Sequence, residues 1–145
     1  MIKKQNTIYI AVLTLVLLVV FLSGCIATNR TDLVKNGTVT IARQKTGKAY
    51  ISSSSAYEEN GELVITGILR RRDHVGGPIK THVDVAIVSA GGTVASEVRS
   101  SDIAVSRRIA GRGYLSSERF TIRISDVPAK GSIVRLVSHS GSHTE

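Results

Sequence analysis

Residues Glu62 to Arg70 read ELVITGILR. In an extended chain, side chains alternate between two faces, which puts Leu63, Ile65 and Leu69 on one and Val64 and Ile68 on the other. A strand that is apolar on both faces belongs inside a sheet. Gly67, with no side chain to pack, marks a bulge or a close backbone approach. Immediately upstream, Glu58-Glu59-Asn60-Gly61 contains an Asn-Gly pair, a strong tight-hairpin signal because both residues tolerate positive φ. The hairpin partner is Ala49 to Tyr57. It is rich in serine but bounded by Tyr50-Ile51 and Ala56-Tyr57, and it reads as a weak edge strand.

The same rhythm extends in both directions. Upstream, Thr38 to Arg43 alternates with Val39 and Ile41 on one face, and Gln44 to Lys48 is a turn containing Gly47. Downstream, Arg71 to Ile79 is a long loop punctuated by Gly76-Gly77-Pro78. Lys80 to Ser89 follows, with Val83, Val85 and Ile87 inward and His82 and Asp84 outward. Ala90 to Thr93 is a hairpin turn. Val94 to Ser106 is long for one strand, and Ser100-Ser101 is either a kink or a switch between sheets. Arg107 to Leu115 is a basic, glycine-bearing loop. In Ser117 to Ser125, Phe120, Ile122 and Ile124 oppose Arg119, Thr121 and Arg123. Asp126 to Gly131 turns the chain into a last strand, Ser132 to His139, followed by a frayed tail. About seven strands separated by turn signals, with no helical stripe, predict an all-β fold: an antiparallel β-sandwich.

The N-terminus has a different organisation. Lys3 and Lys4 precede an apolar run from Ile8 to Leu22, which ends in Leu22-Ser23-Gly24-Cys25. This arrangement resembles the bacterial lipoprotein signal peptide and its lipobox, in which the cysteine is lipidated after cleavage. The run is shorter than the ~18–20 residues that span a bilayer as a helix, which disfavours the alternative of an uncleaved anchor. The resemblance implies a signal peptide over 1–24, a lipidated Cys25 with a flexible tether to residue 37, and a β-sandwich domain over 38–145. Ile26, in place of the aspartate that usually signals inner-membrane retention, implies the outer membrane, facing the periplasm. In a Gram-positive cell the corresponding address is the outer face of the plasma membrane. Cys25 is the only cysteine, so no disulfide can form within the chain.

The sandwich portion is loosely similar to immunoglobulin-like and transthyretin-like exported domains, and that likeness carries no function. Chemistry-bearing motifs are absent: the mature chain has no GxSxG, HExxH, Walker-type or GxGxxG arrangement, and neither enzymatic activity nor a cofactor is expected. The histidines offer a metal alternative. His82 and Asp84 share a strand face, His139 and His143 are similarly spaced, and His74 stands alone; ordinary polar surface is the competing reading.

Charge points elsewhere. Without Lys3 and Lys4 the nineteen basic residues fall to seventeen against eleven acidic ones, a formal balance of +6. A basic exported domain suits an anionic envelope partner, whether a protein face, lipopolysaccharide or a wall polymer. Nucleic acid is not expected, since Tyr50, Tyr57, Tyr114 and Phe120 are the only aromatic rings available to stack bases. The densest cations are Arg70, Arg71 and Arg72, then Arg107, Arg108 and Arg112. If each strand reverses its predecessor, turns alternate between two poles. One pole then collects 44–48, 71–79, 107–115 and the C-terminal tail, with both arginine clusters. The other collects 58–61, 90–93 and 126–131, with Glu58, Glu59, Glu62 and Asp126. A true reversal inside Val94–Ser106 would break this segregation. The Arg-rich loops are the expected binding site. The alternative for assembly is strand addition at the Ser-rich edge 49–57.

Overall fold

The computed structural model describes residues 29–72, 76–106, 108–110, 113–115 and 117–140. Over these the chain is all-β. Its strands are β1 (Arg30–Asp32), β2 (Val39–Gln44), β3 (Ala49–Glu59), β4 (Glu62–Arg71), β5 (Ile79–Val88), β6 (Val94–Arg99), β7 (Ile103–Val105), β8 (Arg108–Ala110), β9 (Gly113–Leu115), β10 (Ser117–Ile124) and β11 (Ser132–Ser140). One sheet has the order β1-β3-β4-β10. The second has the order β2-β11-β5-β6, with β7 also paired to β5, and β8 and β9 pair only with each other. Inward side chains of both sheets form one core, including Ile51, Leu63, Ile65, Leu69 and Phe120 from the first and Val83, Val85, Ile87, Val134 and Leu136 from the second. The fold is a β-sandwich.

β4 is the interior strand its two apolar faces require, flanked by β3 and β10. Leu63, Ile65 and Leu69 point into the core, and Val64 on the outer face is also buried. Gly67 is a site of close approach. Phe120 lies directly opposite it in register, and a Cβ at Gly67 would come 2.4 Å from the Phe120 ring and 2.8 Å from the Ser53 carbonyl oxygen. Asn60 and Gly61 have φ of 56° and 80°, so the β3–β4 turn has the paired positive φ that the tightest hairpins need.

Strand direction reverses from each long strand to the next, as the sequence predicts. The neighbours, however, are not all sequential: β2 and β11 run the same way and pair in parallel, Val39 opposite Ser132 through Gln44 opposite Val137. All other pairs are antiparallel. Val94–Ser106 is kinked and does not switch sheets. Arg99 pairs with Asp84 and Ile103 with Thr81, so β6 and β7 continue along the same side of β5. Between them Ser100 stands in for the ladder: its N–H donates to the Val83 carbonyl and its Oγ accepts from the Val83 N–H, both at 2.9 Å.

Three expectations need correction. Residues 30–37 are not the expected flexible tether, because Arg30–Asp32 pairs with Tyr57–Glu59 and Leu33 enters the core at 2 % exposure. The Asp32 carboxylate accepts from the Val34 and Lys35 amides and orders the turn that follows. Burying Leu33 offsets the chain entropy that a true tether would keep. Second, Arg107–Leu115 contains a hairpin, β8–β9, with Ile109 opposite Tyr114. Third, the Ser-rich strand is an edge only in part. Beyond β1's short pairing, its carbonyls at Ala49, Ser52 and Ala56 accept from Ser138 Oγ, Arg43 Nη1 and the Leu33 amide. Ser52 is the extra residue of a bulge between Ile51 and Ser53, with its hydroxyl donating to the Ile68 carbonyl. β10 ends this sheet opposite β1, and β2 and β6 end the other.

Candidate functional site

The alternating strand directions bring the β2–β3 turn, the end of β4, the start of β5 and the end of β11 to one pole. The inner end of this pole is closed by hydroxyls instead of apolar groups. Ser138 Oγ donates to the Ala49 carbonyl at 2.8 Å, Thr81 Oγ1 to the His139 carbonyl at 2.6 Å, and Thr46 Oγ1 to the Ser138 carbonyl. Ser140 Oγ accepts from the Ala49 amide. The bonds of Ser138 and Ser140 to Ala49 tie β11 of one sheet to β3 of the other, and that of Thr81 to His139 reinforces the β5–β11 pairing.

The Arg70–Arg72 run divides into three roles. Strand alternation turns Arg70 onto the exposed outer face, paired across the ladder with Tyr50. Arg71 lies on the inward face with Leu69 and Ile65. It is 5 % exposed, and its Nη1 donates to the Gly77 carbonyl at 2.7 Å. A guanidinium held there ties Gly77 to the end of β4 and is no free anion ligand. Arg72 is exposed. Its amide donates to the Lys48 carbonyl at 2.9 Å, its Nη2 to the Lys45 carbonyl at 3.1 Å, and its guanidinium carbon sits 5.9 Å from the Tyr50 ring centroid. Arg72 thereby draws the Lys45–Lys48 turn, with both lysines exposed, against the end of β4. Arg108 opens β8 opposite Leu115. Arg107 and Arg112 lie outside the described residues, as do Cys25 with its lipobox, His74 and His143.

Three of the histidine-site candidates do assemble, on the outer face of the second sheet. His82 and His139 are directly opposed in register, and their rings stack at 5.5 Å with 19° between planes. Asp84 Oδ2 lies 3.2 Å from His139 Nε2 and 3.8 Å from His82 Nε2. Sequence reasoning missed the fourth member: Arg99 Nε donates to Asp84 Oδ1 at 2.9 Å. The signal was present, since counting outward from the Gly91-Gly92 turn brings Arg99 near Asp84. The cluster borders a shallow hollow of about 520 Å³, to which Gln44, Glu97 and Arg135 also contribute. Among the described residues no three His, Cys, Asp or Glu side chains are arranged to hold a metal ion. A guanidinium on the shared carboxylate disfavours a second cation there. The nearby hydroxyls of Thr46, Thr81 and Ser138 are spent on carbonyls, so none is placed as a histidine-activated nucleophile.

The opposite pole carries the acids, partly neutralised. Arg123 Nη2 meets Glu59 at 2.8 Å and Nη1 meets Glu62 at 3.2 Å. Hydrogen bonds to Glu59 first, then Glu62, hold the Arg123 guanidinium above its ordinary pKa. Arg30 stacks its guanidinium 3.7 Å over the Tyr57 ring. Against this geometry, comparison with known proteins identifies no relative: no family model, no curated protein and no solved structure matches the chain.

Proposed function

We propose that this is a membrane-anchored lipoprotein whose sandwich serves as a non-catalytic binding module for an anionic partner in the bacterial envelope, gripped at the basic pole. The observation that supports this reading is the convergence of Lys45, Lys48, Arg70 and Arg72 on one end of the sandwich. The β8–β9 hairpin, with Arg107, Arg108 and Arg112 in and around it, connects to the same end through β7 and β10. Guanidinium groups bind phosphate and carboxylate bidentately, which suits lipopolysaccharide, an anionic wall polymer or an acidic protein face. Arg71 leaves the proposed contact set because its guanidinium is committed inside the fold.

The test is capture by the full chain carrying Arg70→Glu, Arg72→Glu and Arg108→Glu together, using lipopolysaccharide micelles, isolated wall polymer and crosslinking in intact cells. Loss of capture of one of these, with an unchanged β-sheet circular dichroism spectrum, is the expected result. Capture that survives the triple reversal, or that ignores ionic strength, would overturn the reading.

A further inference from the structure

Three large apolar side chains are exposed among the described residues: Val34 at 41 %, Val94 at 48 % and Ile133 at 41 %. Single exposed apolar residues are ordinary on any protein surface. Here all three sit at the same pole, the one opposite the arginines. Ile133 pairs with Val88 and Val88 with Val94, so an apolar row crosses β11, β5 and β6 at that end of the sheet. Val34 projects from the turn between β1 and β2. Lys35 and Lys130 lie on turns at the same end, both exposed. Of the pole's acids, Glu58, Glu59 and Glu62 belong to the other sheet, on β3 and β4, while Asp126 shares the turn with Lys130 and Asp32 precedes the turn of Val34 and Lys35. The exposed apolar side chains therefore lie on the half of this pole away from Glu58, Glu59 and Glu62, where Lys35 and Lys130 stand beside one acid each.

The chain also enters the fold here, since Arg30 opens β1 opposite Glu59. Only residues 26–29 separate Cys25 from β1, and four extended residues reach at most about 14 Å. The strands that separate this pole from the basic one run to eleven residues, on the order of 30 Å. A chain attached to a bilayer just before residue 26 keeps this pole within about 14 Å of the surface, while the arginine pole can stand further out by a length on the order of 30 Å.

We infer that the pole bearing Val34, Val94 and Ile133 rests on the anchoring bilayer itself. The apolar side chains enter the headgroup region, and Lys35 and Lys130 meet lipid phosphates. The basic pole faces away, toward its partner. This surface differs from the arginine site and rests on only one part of the proposed function, the membrane attachment.

The experiment reconstitutes the full chain in vesicles of phosphatidylethanolamine and phosphatidylglycerol. A polarity-sensitive fluorophore is attached at Val34→Cys, at Ile133→Cys and, on the far pole, at Lys48→Cys. Labelling of the unsubstituted chain reports whether Cys25 is free. The expected result is a blue shift with quenching by a lipid-borne quencher at positions 34 and 133, and quenching only from the aqueous phase at 48. Combining Val34→Glu with Ile133→Glu should return a label at Val94→Cys to the aqueous signal while circular dichroism stays unchanged. If the chain floats with the vesicles but positions 34 and 133 remain aqueous, the docking surface is wrong and the attachment stands. If the chain does not float with the vesicles, both fail.

Discussion

Arg70, Arg71 and Arg72 are chemically identical neighbours, and the strand geometry gives each a separate task. Removing the Arg71 guanidinium would leave a buried site open and the Gly77 carbonyl without its donor. Arg71→Ala should therefore cost about 1–3 kcal/mol, read from the denaturant midpoint. Arg70→Ala on the exposed face should stay within about 0.5 kcal/mol. The inward parity of Arg71 can be counted from Leu69. A run of arginines nevertheless reads as the solvated end of a strand, because charged side chains are seldom buried without partners, and the partner here is a loop carbonyl that no local pattern announces. Gly67 shows the opposite case. The need for a missing side chain is legible in the strand itself, whereas Phe120 as the group that needs the space is known only from the register of β10. Gly67→Ala should destabilise by about 1–3 kcal/mol through overpacking. The penalty should be non-additive with Phe120→Leu in a double-mutant cycle.

At the scale of elements, the clearest test concerns β1 and the turn after it. The polar composition of residues 26–37 reads as tether, and only docking against β3 reveals Leu33 as core. Leu33→Ala should cost about 2–5 kcal/mol in thermal or denaturant unfolding, whereas a residue in a true tether would cost nothing. Ser100 controls the β6–β7 kink. With Ser100→Ala the Val83 amide loses its acceptor, a loss of about 1–3 kcal/mol accompanied by faster exchange of that amide proton. The long strand from Val94 was recognisable from its alternation. That it stays on β5 through the kink depended on a side-chain hydroxyl replacing a ladder bond, which periodicity cannot express. Hydrogen bonds from Ser138, Arg43 and Leu33 likewise occupy single carbonyls along the Ser-rich edge.

For the whole molecule, the two poles differ in charge and in what they can face. If the basic pole captures an anionic partner by charge, capture should weaken steadily as salt rises, because screening at ~0.15 M already limits exposed charges to about 8 Å. A binding isotherm at several ionic strengths checks this. Alternation and turn signals were enough in the sequence alone to point to an all-β sandwich and to the central place of Glu62–Arg70, whereas the direction of each long strand hung on whether Val94–Ser106 reverses. These are properties of local periodicity and of counting reversals. Only the tertiary structure decided that β2 pairs in parallel with β11, that Arg71 is a clamp, that Asp84 is shared by His82, His139 and Arg99, and that the fold begins at Arg30, close behind Cys25. Each of these depends on which distant strands become neighbours, and backbone pairing between strands leaves no periodic trace in either partner.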